Sequence, residues 1–315
     1  MQNSNLWRGL HDPETTEEKA DFLILGIPFD EGCSFRQGTK EGPDYLRKGS
    51  DRNPPFTEDG IKLSAKIHDS GDIIYYSTSE TQAQYFDRVQ AKAETIFHTS
   101  AKDNTGFPFF IGGDHSVTIP ILKAANEVYN EEQDIAIIHL DSHLDVCDTI
   151  DGNPLSHGST HRRSWELDSF SPKNTYFLGI RCSEQQEHEF LSDKSTNIVT
   201  AKEMYKKTPV SVAKQVVEKI GDIPVYLTFD IDVLDPAYAP GTGTPVSGGI
   251  STREALIMLE QFSKLSLIGM DLVEVSPRWD NSEITLYSAN KILFEMMGFI
   301  TSKPKQIQQL SDLEV

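Results

Sequence analysis

Six short apolar runs punctuate the chain without polar alternation, and that pattern narrows the fold more than any other feature. They are DFLILGIP at 21–28, FPFFI at 107–111, IAII at 135–138, TYFL at 175–178, VYLTF at 225–229 and LSLIGM at 265–270. A strand with one wet face alternates apolar and polar side chains, whereas a strand covered on both faces is apolar throughout, as in parallel sheets. Helical periodicity fills the intervals at 81–99, 117–129, 210–220, 251–262 and 282–297. The order β-α-β-α predicts an α/β fold with three α/β/α layers and a mostly parallel central sheet. No linker interrupts the 315 residues, so one domain over 1–315 is expected, with flexible polar ends at about 1–20 and 301–315.

Composition closes off several classes. Hydrophobic residues at 37% and charged residues at 24% are enough to build a core and are not those of a disordered chain. Cys33, Cys147 and Cys182 are too few and too scattered for a disulfide framework or a thiolate zinc cluster, which points to reduced thiols and a cytoplasmic protein. The polar N-terminus and the absence of an apolar run of about 20 residues argue against secretion and against a membrane partner. A formal charge of −19 argues against nucleic acid and favours cationic ligands or metal ions, although acidic surfaces also serve solubility.

Open α/β sheets gather ligands beyond the carboxyl ends of their strands, and acids collect there in this chain. The run at 225–229 leads into Asp230 and Asp232, and the run at 135–138 leads into Asp141, His143 and Asp145. Alternation along an extended chain puts positions i, i+2 and i+4 on one face, so each set is expected to converge. His115 follows two glycines after the run at 107–111. Alone, each piece reads as a turn or a helix cap, with Asp114 or His115 as the capping group; together, at three strand ends, they read as a metal site. Four carboxylates around a single divalent ion leave a net charge near −2, and two divalent ions balance them. Oxygen-rich ligation with imidazole and no thiolate places Mn²⁺ ahead of Zn²⁺, with Ni²⁺, Co²⁺ or Fe²⁺ as alternatives.

These residues resemble the ureohydrolase family of arginases and agmatinases. The matching strings are Gly112 to Ser116 (GGDHS), Asp141 to Asp145 (DSHLD), Ser156 to Ser159 (SHGS), Phe229 to Pro236 (FDIDVLDP), Ala239 to Pro245 (APGTGTP) and Asp271 to Val275 (DLVEV). The resemblance runs from about Phe22 to Gly298 and implies an arginase-like fold. It implies His115, Asp141, Asp145 and Asp230 as ligands of one manganese and Asp141, His143, Asp230 and Asp232 as ligands of the other. It further implies His157 as a proton shuttle, Glu274 as the carboxylate that holds a small guanidino substrate, and a homo-oligomer, trimer or hexamer.

The agmatinase branch is nearest, because of APGTGTP and of VEVSP at 273–277, and because Cys147 stands where arginases usually carry asparagine. The expected reaction is agmatine plus water to putrescine and urea. Asp148, Asp151 or Glu184 could face a cationic tail, while Arg162 and Arg163 could face the carboxylate of a guanidino acid such as guanidinobutyrate or guanidinopropionate. Arginine and free guanidine are further candidates, and an inactive metal-binding regulatory member is the non-enzyme alternative. Asp235, Pro236, Gly241, Gly243 and Pro245 are read as turn and loop formers outside the catalytic set.

Overall fold

The computed structural model describes residues 6–103, 106–129 and 134–302. Its centre is an eight-stranded sheet of β1 (Phe22–Ile27), β2 (Ile67–Asp72), β3 (Phe107–Gly112), β4 (Ala136–Leu140), β5 (Thr175–Ile180), β6 (Asn197–Thr200), β7 (Val225–Asp230) and β8 (Leu267–Val273). Every neighbouring pair is parallel, in the order β2-β1-β3-β8-β7-β4-β5-β6. The helices are α1 (Gly42–Gly49), α2 (Gln82–Asp103), α3 (Thr118–Tyr129), α4 (Thr160–Ser164), α5 (Gln185–Leu191), α6 (Ala201–Lys207), α7 (Pro209–Ile220), α8 (Thr252–Phe262) and α9 (Ile284–Thr301). Among the described residues no helix is long and apolar enough to cross a membrane.

The unbroken apolar runs have the expected cause. Phe22, Ile24, Phe109 and Phe229 face a core completed by α7, α8 and α9, while their chain neighbours Leu23, Leu25 and Phe110 face a second core completed by α2 and α3. Both faces of the inner strands are therefore covered. The edge strands β2 and β6, IHDSGD and NIVT, are mostly half-exposed, which is why neither reads as a strand in the sequence.

Strand order decides where the site lies. The chain lays down β1 to β3, jumps to β4 to β6, and returns to fill the gap with β7 and β8. As a result β3, β8, β7 and β4 lie side by side, and their carboxyl ends carry all the acidic and histidine motifs. Residues 1–5 and 303–315, the outer parts of the expected flexible ends, lie outside the described residues. Trp7, within the first of those ends, is fully buried and donates its indole N–H to Asp69 at 2.7 Å.

Candidate metal centre and active site

His115, Asp141, Asp230 and Asp232 are almost completely buried, and Asp145 is 6% exposed. Apart from Asp230, the last residue of β7, the ligand-type residues lie past the strand ends rather than along them. Strand β7 stops at Asp230, and residues Ile231–Val233 form a 3-10 turn in which Asp232 N–H donates to Asp230 Oδ1 at 2.7 Å. Likewise β4 stops at Leu140, His143 N–H donates to Asp141 Oδ1 at 2.6 Å, and Asp145 takes a left-handed φ of 55°. The expected convergence is present, but side-chain-capped turns produce it, and the expectation of strand alternation is corrected. Asp114 performs the capping role after β3, accepting the Ser116 N–H at 3.0 Å and the Gly32 N–H at 2.8 Å.

The Nδ1 atom of His115 lies 3.0 Å from Asp141 Oδ2, 3.0 Å from Asp145 Oδ2 and 3.2 Å from Asp230 Oδ2. A second group stands next to it, with His143 Nδ1 3.4 Å from Asp141 Oδ1 and 3.2 Å from Asp232 Oδ2. Asp141 is common to both, one oxygen to each; Asp230 contacts the second group through its bond from Asp232 N–H.

The donors fit a cation. His115 Nδ1 and Asp141 Oδ2 are buried without a hydrogen-bond partner despite their proximity, so their lone pairs converge on a common point rather than on each other. One proton on Nδ1 could satisfy only one of three oxygens, and unpaired buried polar atoms cost about 1–3 kcal/mol each. Adjacent ligands of an octahedral ion at about 2.1 Å are separated by about 3.0 Å, which is the spacing observed. Without a cation the group is electrostatically frustrated. Burial and then the charges of Asp232 and Asp141 push the Asp230 carboxyl well above its ordinary range. Burial opposes charge on His115, but its three carboxylate neighbours prevail and hold it well above the ordinary histidine value.

Glu274 and His157 complete the floor. Glu274, with a left-handed φ of 63°, follows β8 and is pinned by its N–H to the Gly113 carbonyl at 2.8 Å. Its Oε1 accepts the His115 backbone N–H at 2.9 Å and lies 3.2 Å from His157 Nδ1, while Oε2 is buried and unpartnered. Burial opposes the charged form of His157, yet the hydrogen bond and charge of Glu274 push it up to about 9. Its Nε2 lies 2.9 Å from Ser34 Oγ.

Beside these groups opens a cleft of about 410 Å³, lined by His115, His143, Asp145, His157 and Asp230 and by Cys147, Ile150, Glu184, Pro245 and Val246. Glu187, also on its wall, is pushed up to about 7 by burial. The candidate tail contacts separate clearly. Arg163 is paired with Asp148 at 2.7 Å and with Glu166 at 3.0 Å, and Arg162 lies over the Phe190 ring at 3.5 Å. Glu184 lines the cleft, whereas Arg162, Arg163, Asp148 and Asp151 do not. Asp235 accepts the Ala237, Gly248 and Gly249 N–H groups, a turn former as expected.

Two buried histidines escaped the sequence reading. His139 lies 3.2 Å from Asp141 Oδ2, and His161 Nε2 lies 2.7 Å from His139 Nδ1. The first had a usable signal, since it precedes Asp141 by two residues at the end of an apolar strand; the second had none beyond its position one turn after His157.

The arginase family profile matches residues 20–298. The chain is 35% identical to an agmatinase from Bacillus subtilis, over 90% of this chain and 93% of that one. It superposes with TM-score 0.81 on proclavaminate amidino hydrolase from Streptomyces clavuligerus, at 31% identity over 92% and 94% of the two chains. A Trypanosoma cruzi formiminoglutamase solved with Mn²⁺ superposes with TM-score 0.84, at 25% identity over 95% and 99%. Fold, motif positions and these likenesses agree, and the chain belongs to the arginase family of hydrolases.

Proposed function

We propose that this protein hydrolyses agmatine to putrescine and urea at a site for two divalent cations, manganese foremost. The observation that carries the reading is the convergence of three carboxylate oxygens within 3.0–3.2 Å of His115 Nδ1, beneath a cleft with an apolar and acidic outer wall. His115, Asp141, Asp145 and Asp230 would hold one ion and Asp141, His143, Asp230 and Asp232 the other. When bound, two such ions balance the four carboxylates and make water a nucleophile near neutral pH.

The remaining chemistry falls to side chains of this chain. A guanidinium is resonance-stabilised and reacts only if its carbon is held against the nucleophile. Glu274 Oε2, buried and without a protein donor, is the acceptor for a guanidinium N–H, and the charge makes that bond strong. Water oxygen bonds to the guanidinium carbon and loses both its protons as the urea carbonyl forms, the bond from that carbon to the tail nitrogen breaks, and the departing amine takes up two protons, one of them by way of His157. His157 holds that proton at Nδ1, against the same carboxylate that fixes the substrate. Ser34 Oγ fixes the ring from its other nitrogen. Cys147, Ile150, Pro245 and Val246 suit an aliphatic tail, and Glu184 at the rim suits its ammonium.

One observation favours a second reading, a guanidino-acid substrate. Arg36 lines the cleft, stacks 4.6 Å over Trp279, and among the described residues forms no ion pair, so a carboxylate tail would find a cation there. Urea release by the Mn²⁺-loaded protein from agmatine, guanidinobutyrate, guanidinopropionate, arginine and guanidine decides between them. Agmatine is expected to give the highest kcat/KM; turnover confined to guanidino acids would eliminate it.

A further inference from the structure

We propose that His161, acting through His139, is a positioning residue for the loop that carries Asp141, His143 and Asp145. The inference rests on the reading of that loop as metal-binding, but it assigns a task to two residues outside the ligand set.

Proton placement follows from geometry alone. His161 Nδ1 is buried and has no partner, and an orphaned buried N–H is rarer and costlier than a bare lone pair. The His161 proton is therefore on Nε2, 2.7 Å from His139 Nδ1, which must accept it. His139 then carries its own proton on Nε2, where the carbonyl oxygen of His143 stands at 3.0 Å. The relay runs in one direction, from His161 to His139 to the His143 carbonyl. It leaves no lone pair on His139 for a metal, although His139 stands close to Asp141 and His115.

His161 grips the same loop a second time. Its backbone N–H donates to the Asp145 carbonyl at 2.9 Å. Asp145 holds a left-handed φ of 55°, a conformation that costs a non-glycine residue about 1–3 kcal/mol and persists only when its surroundings impose it. The first turn of α4 thus fixes the carbonyls of both His143 and Asp145, the two ligand-type residues that follow Asp141. Phe177 backs the pair, with ring centroids 5.3 Å from His139 and 5.4 Å from His161, so neither imidazole can swing away.

The test compares His161→Phe, which keeps the backbone N–H and the aromatic bulk but removes the relay, with His161→Gln, whose amide N–H can replace Nε2–H. Calorimetric titration of the full-length chain with Mn²⁺ is expected to show affinity about 10- to 100-fold weaker in H161F and within about threefold of wild type in H161Q. Nitrogen-15 spectra of wild-type protein before Mn²⁺ is added should show His139 as the Nε2–H tautomer, a readout that needs no variant to fold. Wild-type affinity in H161F, or an Nδ1–H tautomer at His139, overturns the inference while leaving the metal site intact. Wild-type protein that takes up no Mn²⁺ overturns the site itself, and the inference with it.

Discussion

Glu274→Gln separates substrate binding from scaffolding within a single side chain. In the native protein Oε1 accepts from His115 N–H and lies 3.2 Å from His157 Nδ1, while Oε2 has no partner. A glutamine amide oxygen can keep the Oε1 contacts, so the fold and the ligand residues should persist. The amide N–H₂ then occupies the Oε2 position and confronts the guanidinium with a donor instead of an acceptor. Losing a charge-assisted hydrogen bond costs about 1.5–3 kcal/mol, and leaving buried donors unpaired adds about 1–3 kcal/mol. A combined loss of roughly 2.5–6 kcal/mol corresponds to a drop of about 10²- to 10⁴-fold in kcat/KM. The pH profile should move as well. His157 is raised to about 9 with Glu274 beside it, so its protonated form is populated at every pH below that value and is lost above it. Without the carboxylate its pKa returns toward about 6.5 or lower, and the alkaline fall in activity begins roughly two pH units earlier. Urea release from pH 6 to 10, with metal content measured on the same samples, provides the assay. Native-like kcat/KM, or an unmoved alkaline limb, would refute the assignment of Glu274 to the guanidinium and its coupling to His157.

His157→Asn should lower kcat by about 10²- to 10⁴-fold with Mn²⁺ content unchanged, as measured by urea release and elemental analysis, because it removes the proposed proton donor and leaves the proposed ligands in place. Chelation should lower the melting temperature and Mn²⁺ should restore it, by about 4 kcal/mol of stability at a thousandfold excess over Kd, since the ions relieve the repulsion among buried Asp141, Asp230 and Asp232. Gly113→Ala should destabilise the fold by about 3 kcal/mol or more in denaturant unfolding, because its Cβ would fall 1.7 Å from the Phe29 carbonyl oxygen, which only backbone movement can relieve. Arg47→Met should cost about 3–5 kcal/mol in the same assay, since it strands Asp69, now paired at 2.7 Å, and Asp72 near the sheet edge.

The inner strands were legible because burial on both faces leaves the same mark in any sequence, a run with no polar interruption. The edge strands left no such mark: β2 has one strand neighbour, β1, and β6 one, β5, among the described residues, and their residues are mostly half-exposed. The short helices α1, α4, α5 and α6 were likewise invisible, being too brief to show periodicity. Of the eight residues expected at the site, His115, His143, Asp145, His157 and Asp230 line one cleft and Asp141, Asp232 and Glu274 lie against them, yet the local geometry that unites them differs from expectation. Carboxylate-capped turns past the strand ends aim Asp232 and His143, a device that period-two reasoning cannot anticipate. His139 carried a signal in its place two residues before Asp141, but its pairing with His161 did not, because a histidine shows no sign of a partner 22 residues away.

The most direct measurement is agmatine turnover as Mn²⁺ is added stepwise to chelator-stripped protein, with urea and putrescine both quantified. Negligible turnover without metal, a rise that saturates at two ions per chain, and equimolar products are expected. Full activity at one ion or none, or no putrescine at any loading, would contradict the account.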